Sequence, residues 1–198
     1  MTQISIKVGN PLKQKTACLV LPAYEGHLKN AFSELDILLQ GRLQKAFRSK
    51  EFSGKKGEAL LLHAAEGGCE RFLLVGLGSK RQTNAIGLRN FGSQVAAYLS
   101  ERRIGRCLID TNLLHFSKGA EMAGIEAIAE GILLAAYRFD AYRETSADAV
   151  APLQAASLLI GSSRDKVAAE ETVRGAEAVC RGICLARDLV NLPGNYKS

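Results

Sequence analysis

The sequence has no long apolar run. No stretch of its 198 residues approaches the roughly 18 consecutive apolar residues that a membrane span requires. The first ten residues also lack the basic and then apolar pattern of a secretory signal. Internal repeats and low-complexity tracts are missing as well. The sequence therefore predicts a cytoplasmic chain that does not cross a membrane.

Aromatic residues are few, at 6% of the chain, but 47% of the residues are hydrophobic and 23% are charged, which is typical of a soluble α/β protein. The five cysteines are odd in number and lie in segments that predict core elements, which indicates reduced thiols. Cys180 and Cys184 share a helix face and could hold a metal. No second ligand pair has zinc spacing, so the sequence favours core cysteines.

Motifs for hydrolytic catalysis are also missing. The chain has no G-x-S-x-G nucleophile elbow, and nothing local supports a cysteine nucleophile. His27, His63 and His115 are scattered and unpaired with any cysteine motif. We therefore predict no catalytic residue and no metal ligand in this chain.

Positive charge is concentrated in the first half. Residues 1–110 carry 17 Lys and Arg against 9 acids, whereas residues 111–198 carry 9 against 11. One basic stretch also contains Phe47 and Phe52, and cations among aromatics can bind nucleic acid. A solvated loop is the alternative. The cations of this stretch are Arg42, Lys45, Arg48, Lys50, Lys55 and Lys56.

Short apolar runs predict strands, and they alternate with segments of helical spacing. The predicted strands are 4–8, 17–21 (ended by Pro22), 59–63, 72–78, 107–109 and 155–160, and the predicted helices are 28–39, 41–48, 84–103, 118–140 and a long one from about 165 nearly to 190. Strands separated by helices indicate crossover connections. The predicted fold is α/β, a mixed and mainly parallel sheet sandwiched between helices.

Helix faces and ends are predicted as well. Ile86, Phe91 and Val95 begin an apolar stripe on helix 84–103, and helix 118–140 has its own stripe ending at Phe139. Ser162 and Asp165 have capping-box spacing before the long helix. That helix exceeds what a small domain needs, so we predict a domain over residues 1–161 and a long helix with a junction over 162–198.

Four stretches together resemble one family, the leucyl (cytosol) aminopeptidases of the two-metal type. They are FSGKKGEALLL at 52–62, FLLVGLGSKR at 72–81, EGILLAAYRFDAYR at 130–143 and ARDLVNLPGNY at 186–196. The last two are the more specific. The order and spacing resemble the N-terminal, non-catalytic domain of that family, with the catalytic domain absent.

The resemblance implies a fold similar to a macro domain and a longer parent enzyme that releases N-terminal residues such as leucine from peptides. It implies two divalent metal ions, Mn or Zn, in the parent's catalytic domain, with no cofactor in this chain. It also implies a homo-hexameric parent, with this domain supporting assembly, and a peptide substrate bound elsewhere. The alternative is a DNA- or nucleotide-binding module, because some members of the family also bind DNA.

Two groups of residues are candidate sites in light of this resemblance. The turn of Gly76, Gly78, Ser79, Lys80 and Arg81 resembles the phosphate loop of macro domains and could bind an anion or nucleotide, although the glycines could equally serve the exit from a strand. Polar and charged residues at the helix ends could form local ion pairs or a domain junction. They are Arg138, Asp140 and Arg143, and in the fourth motif Arg187, Asp188 and Asn191.

Overall fold

The computed structural model describes residues 2–27, 32–64, 68–116, 119–139 and 153–192. A six-stranded sheet runs in the order β1-β6-β5-β2-β4-β3. All neighbouring strands are parallel except β3 and β4, which confirms the predicted mainly parallel sheet. The strands are β1 Gln3–Val8, β2 Leu19–Tyr24, β3 Ala59–His63, β4 Arg71–Gly78, β5 Arg106–Asp110 and β6 Ala155–Ile160.

Helices lie on both faces of the sheet. In the described residues they are α1 Ser33–Leu38, α2 Arg42–Arg48, α3 Ala85–Glu101, α4 Glu121–Ala135 and α5 Lys166–Asn191. Apolar residues of α3, α4 and α5 pack on one face in a single core, with Val95, Ile128 and Val173 as examples. A second core joins α1 and α2 to the other face. Among the described helices, none is both long and apolar enough to cross a membrane.

Close contact between α3 and α4 depends on glycine. A Cβ atom at Gly131 would lie less than 3.0 Å from the carbonyl oxygen of Arg89, and one at Gly92 would meet the carbonyl of Ile128 in the same way. The hydroxyl of Ser93 donates to the Arg89 and Gly131 carbonyls, at 3.1 Å each. Arg89 also pairs with Glu130, its Nε donating to Oε2 at 2.8 Å. Helices α3 and α4 are therefore joined by hydrogen bonds and an ion pair as well as by apolar packing.

The predicted end of β2 at Pro22 is wrong, because β2 continues through Pro22 to Tyr24. Proline is disfavoured inside a sheet because it lacks the amide hydrogen of the ladder. Here β5 pairs only with Leu19 and Val20. The Cys18 carbonyl accepts a hydrogen bond from the amide of Leu108 in β5. The backbone polar groups of successive residues point to opposite sides of a strand, so those of Cys18, Val20 and Pro22 all point towards β5. Pro22 therefore lies beyond the last paired residue and breaks no ladder bond.

Several helix predictions also differ from the structure. The first helix is confined to α1 within the described residues, and α4 ends at Ala135, so Phe139 lies outside it. Ile86 is 66% exposed, because it lies in the first turn of α3, and Leu88 is buried instead. Ser162 accepts from the amide of Arg164 and caps a 3-10 turn, not α5 itself. Residues 145–151, whose polar and small side chains predict a linker, lie outside the described residues.

Candidate functional site

The glycine turn at the end of β4 is covered by the loop that precedes β3. The amide of Gly76 donates to the Glu58 carbonyl at 2.8 Å, and the amide of Gly78 donates to the Gly54 carbonyl at 2.9 Å. A Cβ atom at residue 76 would lie less than 3.0 Å from the carbonyl oxygen of Lys55. Both glycine amides are therefore already paired and do not point at an anion. The close approach of two backbones explains Gly76.

A network around one carboxylate holds the covering loop. The carboxylate of Glu58 accepts from the amide of Ser53 at 2.7 Å, from the Ser53 hydroxyl at 2.9 Å and from the Lys55 amide at 3.2 Å. Burial of Glu58 raises its pKa, but these hydrogen bonds outweigh burial, and the pKa lies below its usual value. The first and second family stretches are thus in direct contact.

The remaining residues of the glycine turn point in different directions. Lys80 is half-buried, with Nζ 5.7 Å from the centre of the Tyr24 ring, whereas Arg81 is exposed. Beside the turn lies a pocket of about 400 Å³ between the end of β4 and the start of α3. Its polar lining includes Lys56, Asn90 and Gln94. Ser79, Lys80 and Arg81 are not among the described residues that line it.

The basic stretch places six exposed cations on two elements. Arg42, Lys45 and Arg48 lie on α2, with Lys50 just after it, while Lys55 and Lys56 lie on the loop over β4. The aromatics of this stretch belong to the core. Phe52 is 1% exposed, and the Phe47 ring packs 6.2 Å from it and 6.4 Å from Phe32. Phe52 is therefore not available to stack on bases, and binding of nucleic acid through the cations of this stretch stays a prediction.

The three junction residues meet at one tyrosine that the sequence did not single out. The hydroxyl of Tyr137, just after α4, donates to Oδ1 of Asp188 at 2.7 Å and lies 3.5 Å from Nδ2 of Asn191. The guanidinium of Arg187 lies 5.4 Å from the ring centre. Burial and the Asp188 carboxylate raise the pKa of Tyr137. The third and fourth family stretches thus also contact each other; Asp140 and Arg143 lie outside the described residues.

The cysteines are reduced and mostly buried. All five are free, and only Cys184 is partly exposed. Burial raises the pKa of Cys18 to about 12 and that of Cys180 to about 11, and it raises those of Cys69 and Cys107 as well. A protonated thiol is a poor nucleophile and a poor metal ligand. In the described parts of the chain, no group of three or more His, Cys, Asp or Glu could hold a metal ion.

Comparison with known proteins agrees with the family resemblance of the four sequence stretches. Residues 20–146 match the sequence model of the cytosol aminopeptidase family, N-terminal domain. The chain belongs to the cytosol aminopeptidase family. It is 33% identical over 200 residues to a probable cytosol aminopeptidase of Syntrophotalea carbinolica. That alignment covers 99% of this chain and 40% of the Syntrophotalea protein. A similar protein of Nitrosococcus oceani is 33% identical over 190 residues, which make up 38% of its length.

Solved structures give the same family and fold. A mutant of tomato leucine aminopeptidase superimposes with a TM-score of 0.80 and 26% identity, covering 98% of this chain and 39% of that one. The macrodomain of Mycobacterium tuberculosis DarG shares the fold alone, with a TM-score of 0.57 and 13% identity over 82% of this chain and 100% of that one. The macro-like fold is thus confirmed. The chain spans about two-fifths of the length of its aminopeptidase relatives.

Proposed function

We propose that this chain is the non-catalytic N-terminal domain of a cytoplasmic metallo-aminopeptidase that releases N-terminal residues such as leucine from peptides. One observation carries the proposal: almost the whole chain aligns with about two-fifths of proteins named cytosol aminopeptidases. The rest of such an enzyme would hold the two divalent metals, Mn or Zn. The described residues do not fit a metal site, because they contain no group of three candidate ligands.

The end of α5 supports a role in docking the remainder of the enzyme. Cys180 is the last buried residue of this helix, so residues 181–191 extend about 16 Å past the core. Tyr137 contacts this extension from one side. The hydrogen bond to Asp188 holds the helix in a fixed direction, as a connection between two rigid domains requires.

An apolar face of the same extension is exposed. Val179, Ile183, Ala186 and Val190 follow one another at spacings of four, three and four residues, which places them on one side of the helix. Val179 is 53% exposed and Val190 is 76% exposed. Leu185 and Leu189 widen the face and are also exposed. Such a face is typical of a surface that another protein layer covers.

The covering layer we propose is the aminopeptidase's own catalytic domain. The face is about 12 residues long, or some 18 Å, and a stable dimer usually buries about 800 Å² on each partner. A covalently linked domain needs less area, because its effective concentration is high. The first half of α5 packs on α4 and β1 and so belongs to the N-terminal domain. We therefore place the domain boundary after Cys180 and not between residues 161 and 162, where the sequence predicted it.

The experiment compares three proteins in leucine-p-nitroanilide hydrolysis with added Mn. They are the 198-residue chain, the full-length Syntrophotalea carbinolica protein, and a chimera in which this chain replaces the matching two-fifths of that protein. We expect activity in the last two only. Light scattering of the chimera tests the homo-hexamer. Activity in the 198-residue chain would overturn the proposal, as would an unfolded or inactive chimera beside an active Syntrophotalea protein.

Two substitutions test the docking face within the chimera. Ile183→Asp places a charge in the apolar face and should lower the midpoint of thermal unfolding by about 5 °C or more. Val167→Asp is the matched control, because Val167 is an exposed apolar residue at the other end of α5. Equal effects of the two substitutions would exclude the face as the interdomain contact.

Nucleotide binding is a second candidate function, favoured by the pocket beside the glycine turn. Its volume of about 400 Å³ is in the usual range of small-molecule sites. Calorimetric titration with ADP-ribose tests it, with Asn90→Leu as the variant that should abolish binding.

Duplex DNA titrated at low and high salt tests the cations of the basic stretch separately. Absence of ADP-ribose binding rejects the nucleotide site, and absence of DNA binding at low salt rejects the nucleic-acid role of the basic stretch.

A further inference from the structure

At the β1 edge of one sheet face, none of the helices α1 to α5 packs on the sheet in the described parts of the chain. On this face the core that contains α1 and α2 includes residues of β2, β4 and β3 and reaches Leu108 of β5 and Leu159 of β6. Farther along, β1 presents Gln3, Ser5 and Lys7, and β6 presents Ser157 beside them. Gln3 and Ser5 are exposed, and the Ser5 and Ser157 hydroxyls lie 2.9 Å apart. Parallel sheets are normally covered on both faces, so an exposed region at this edge is unusual.

A groove of about 750 Å³ lies in this region, near the starts of β1, β6 and β5. Three cations line it: Lys7 from β1, Arg106 from the start of β5, and Lys15 from the segment before β2. The only acid among its described lining residues is Glu70, whose carboxylate lies 3.4 Å from Arg71. The groove is therefore basic, and its polar floor of Gln3 and Ser157 offers hydrogen bonds.

The lining chemistry favours an acidic peptide over a nucleic acid. No aromatic side chain is among the described residues that line the groove, and binding of single strands relies on aromatic stacking as well as on cations. Gln3, Ser5 and Lys7 recur every second residue, about 6.6 Å apart along β1. This repeat matches the spacing of same-side residues in an extended peptide. The face is too polar to bind an apolar helix.

We infer that this groove, defined by Lys7, Lys15, Arg106 and Ser157, binds an extended acidic segment of a protein partner. The partner's carboxylates would pair with the three cations, and its backbone would reach the Gln3 and Ser157 side chains. The inference is independent of the aminopeptidase proposal, because the groove lies on the sheet, away from α5 and from the pocket beside the glycine turn.

The test is fluorescence anisotropy of a labelled peptide of about eight glutamates, long enough to follow one strand. It is titrated with the 198-residue chain at about 50 and about 200 mM salt, which brackets moderate and strong screening. The variant carries Lys7→Gln and Arg106→Gln. The matched control carries Arg164→Gln and Arg174→Gln, two exposed cations outside the groove and outside the basic stretch, so that both variants lose the same charge.

We expect the groove variant to bind the peptide about five- to tenfold more weakly, and the control to bind within twofold of the unaltered chain. Circular dichroism on all three proteins verifies that each is folded. Equal losses in the two variants would overturn the inference, because they would show attraction to net charge only. Absence of binding at low salt would also overturn it. If a thymidine oligonucleotide bound more tightly than the peptide, and Lys7→Gln weakened that binding, the ligand of the groove would be nucleic acid and the inference would be overturned.

Discussion

The hydroxyl of Tyr137 donates a 2.7 Å hydrogen bond to Oδ1 of Asp188, and this contact joins the end of α4 to the part of α5 that extends past the core. The two residues are 51 positions apart in sequence. They belong to the two most specific stretches of the aminopeptidase resemblance. Their contact gives a physical reason for both stretches to occur in one chain.

Removal of that hydroxyl should loosen the end of α5. Tyr137→Phe leaves the ring in place but deletes the hydrogen bond to Asp188. We expect faster amide hydrogen exchange over residues 181–191 and unchanged exchange over 166–176. Tyr98→Phe is the control, because the Tyr98 ring stacks with Arg102 at the end of α3, away from α5. Unchanged exchange near Asp188 in Tyr137→Phe would contradict a clamping role.

Adding one methyl group to the strand β4 should destabilise the domain. Gly76→Ala places a Cβ atom against the carbonyl of Lys55, and we expect a loss of about 3 kcal/mol in the free energy of unfolding. Gly175→Ala is the opposite case, since open space surrounds this helical glycine. It should gain about 0.5 to 1 kcal/mol. Urea denaturation of both variants measures the difference, and a stable Gly76→Ala protein would refute the close approach.

Stability in acid should depend on Glu58. Its folded pKa lies below the usual 4.5, so the carboxylate adds stability above that pH, and the contribution is lost as pH falls through the folded value. Glu58→Gln should therefore be less stable than the unaltered chain at pH 7, with the difference shrinking below about pH 4.5. Glu51→Gln removes an exposed carboxyl as a control. A difference of constant size from pH 7 down to the pH of acid unfolding would argue against this linkage.

Thiol reactivity should separate Cys184 from the other cysteines. Cys18, Cys69, Cys107 and Cys180 are buried, and their raised pKa values keep them protonated at neutral pH. Iodoacetamide at pH 8 should therefore label Cys184 first, with the remaining four labelled only after unfolding. Mass spectrometry of the peptides reads the order. Early labelling of Cys180 would show that the last turns of α5 open readily.

Periodicity in the sequence predicted most strands and helices because each element has a local apolar pattern. The parallel strand at residues 72–78, for example, is a continuous apolar run that ends in glycine, and β4 closely matches it. Pro22 shows where local patterns fail. Whether a proline ends a strand depends on which neighbour its missing amide would face, and that neighbour, β5, is distant in sequence.

The candidate sites depended on tertiary structure even more. From sequence, the glycines of residues 76 and 78 suited either an anion or a strand exit, and only the loop carrying Gly54 and Glu58 decides that their amides are already paired. Phe52 is adjacent to lysines in sequence, yet it packs inward because α2 and the sheet need its ring in their core. Tyr137 had no local signal, since its partners lie on α5.

The sequence by itself determined the fold class, the family resemblance and the absence of hydrolase motifs, because these depend on residue types and their spacing along the chain. Only the tertiary structure decided which backbone amides are already paired, which aromatics are buried, and which edge of the sheet is exposed. These properties arise from contacts between residues far apart in the chain. The basic groove, with Lys7 and Arg106 about a hundred positions apart, is such a property.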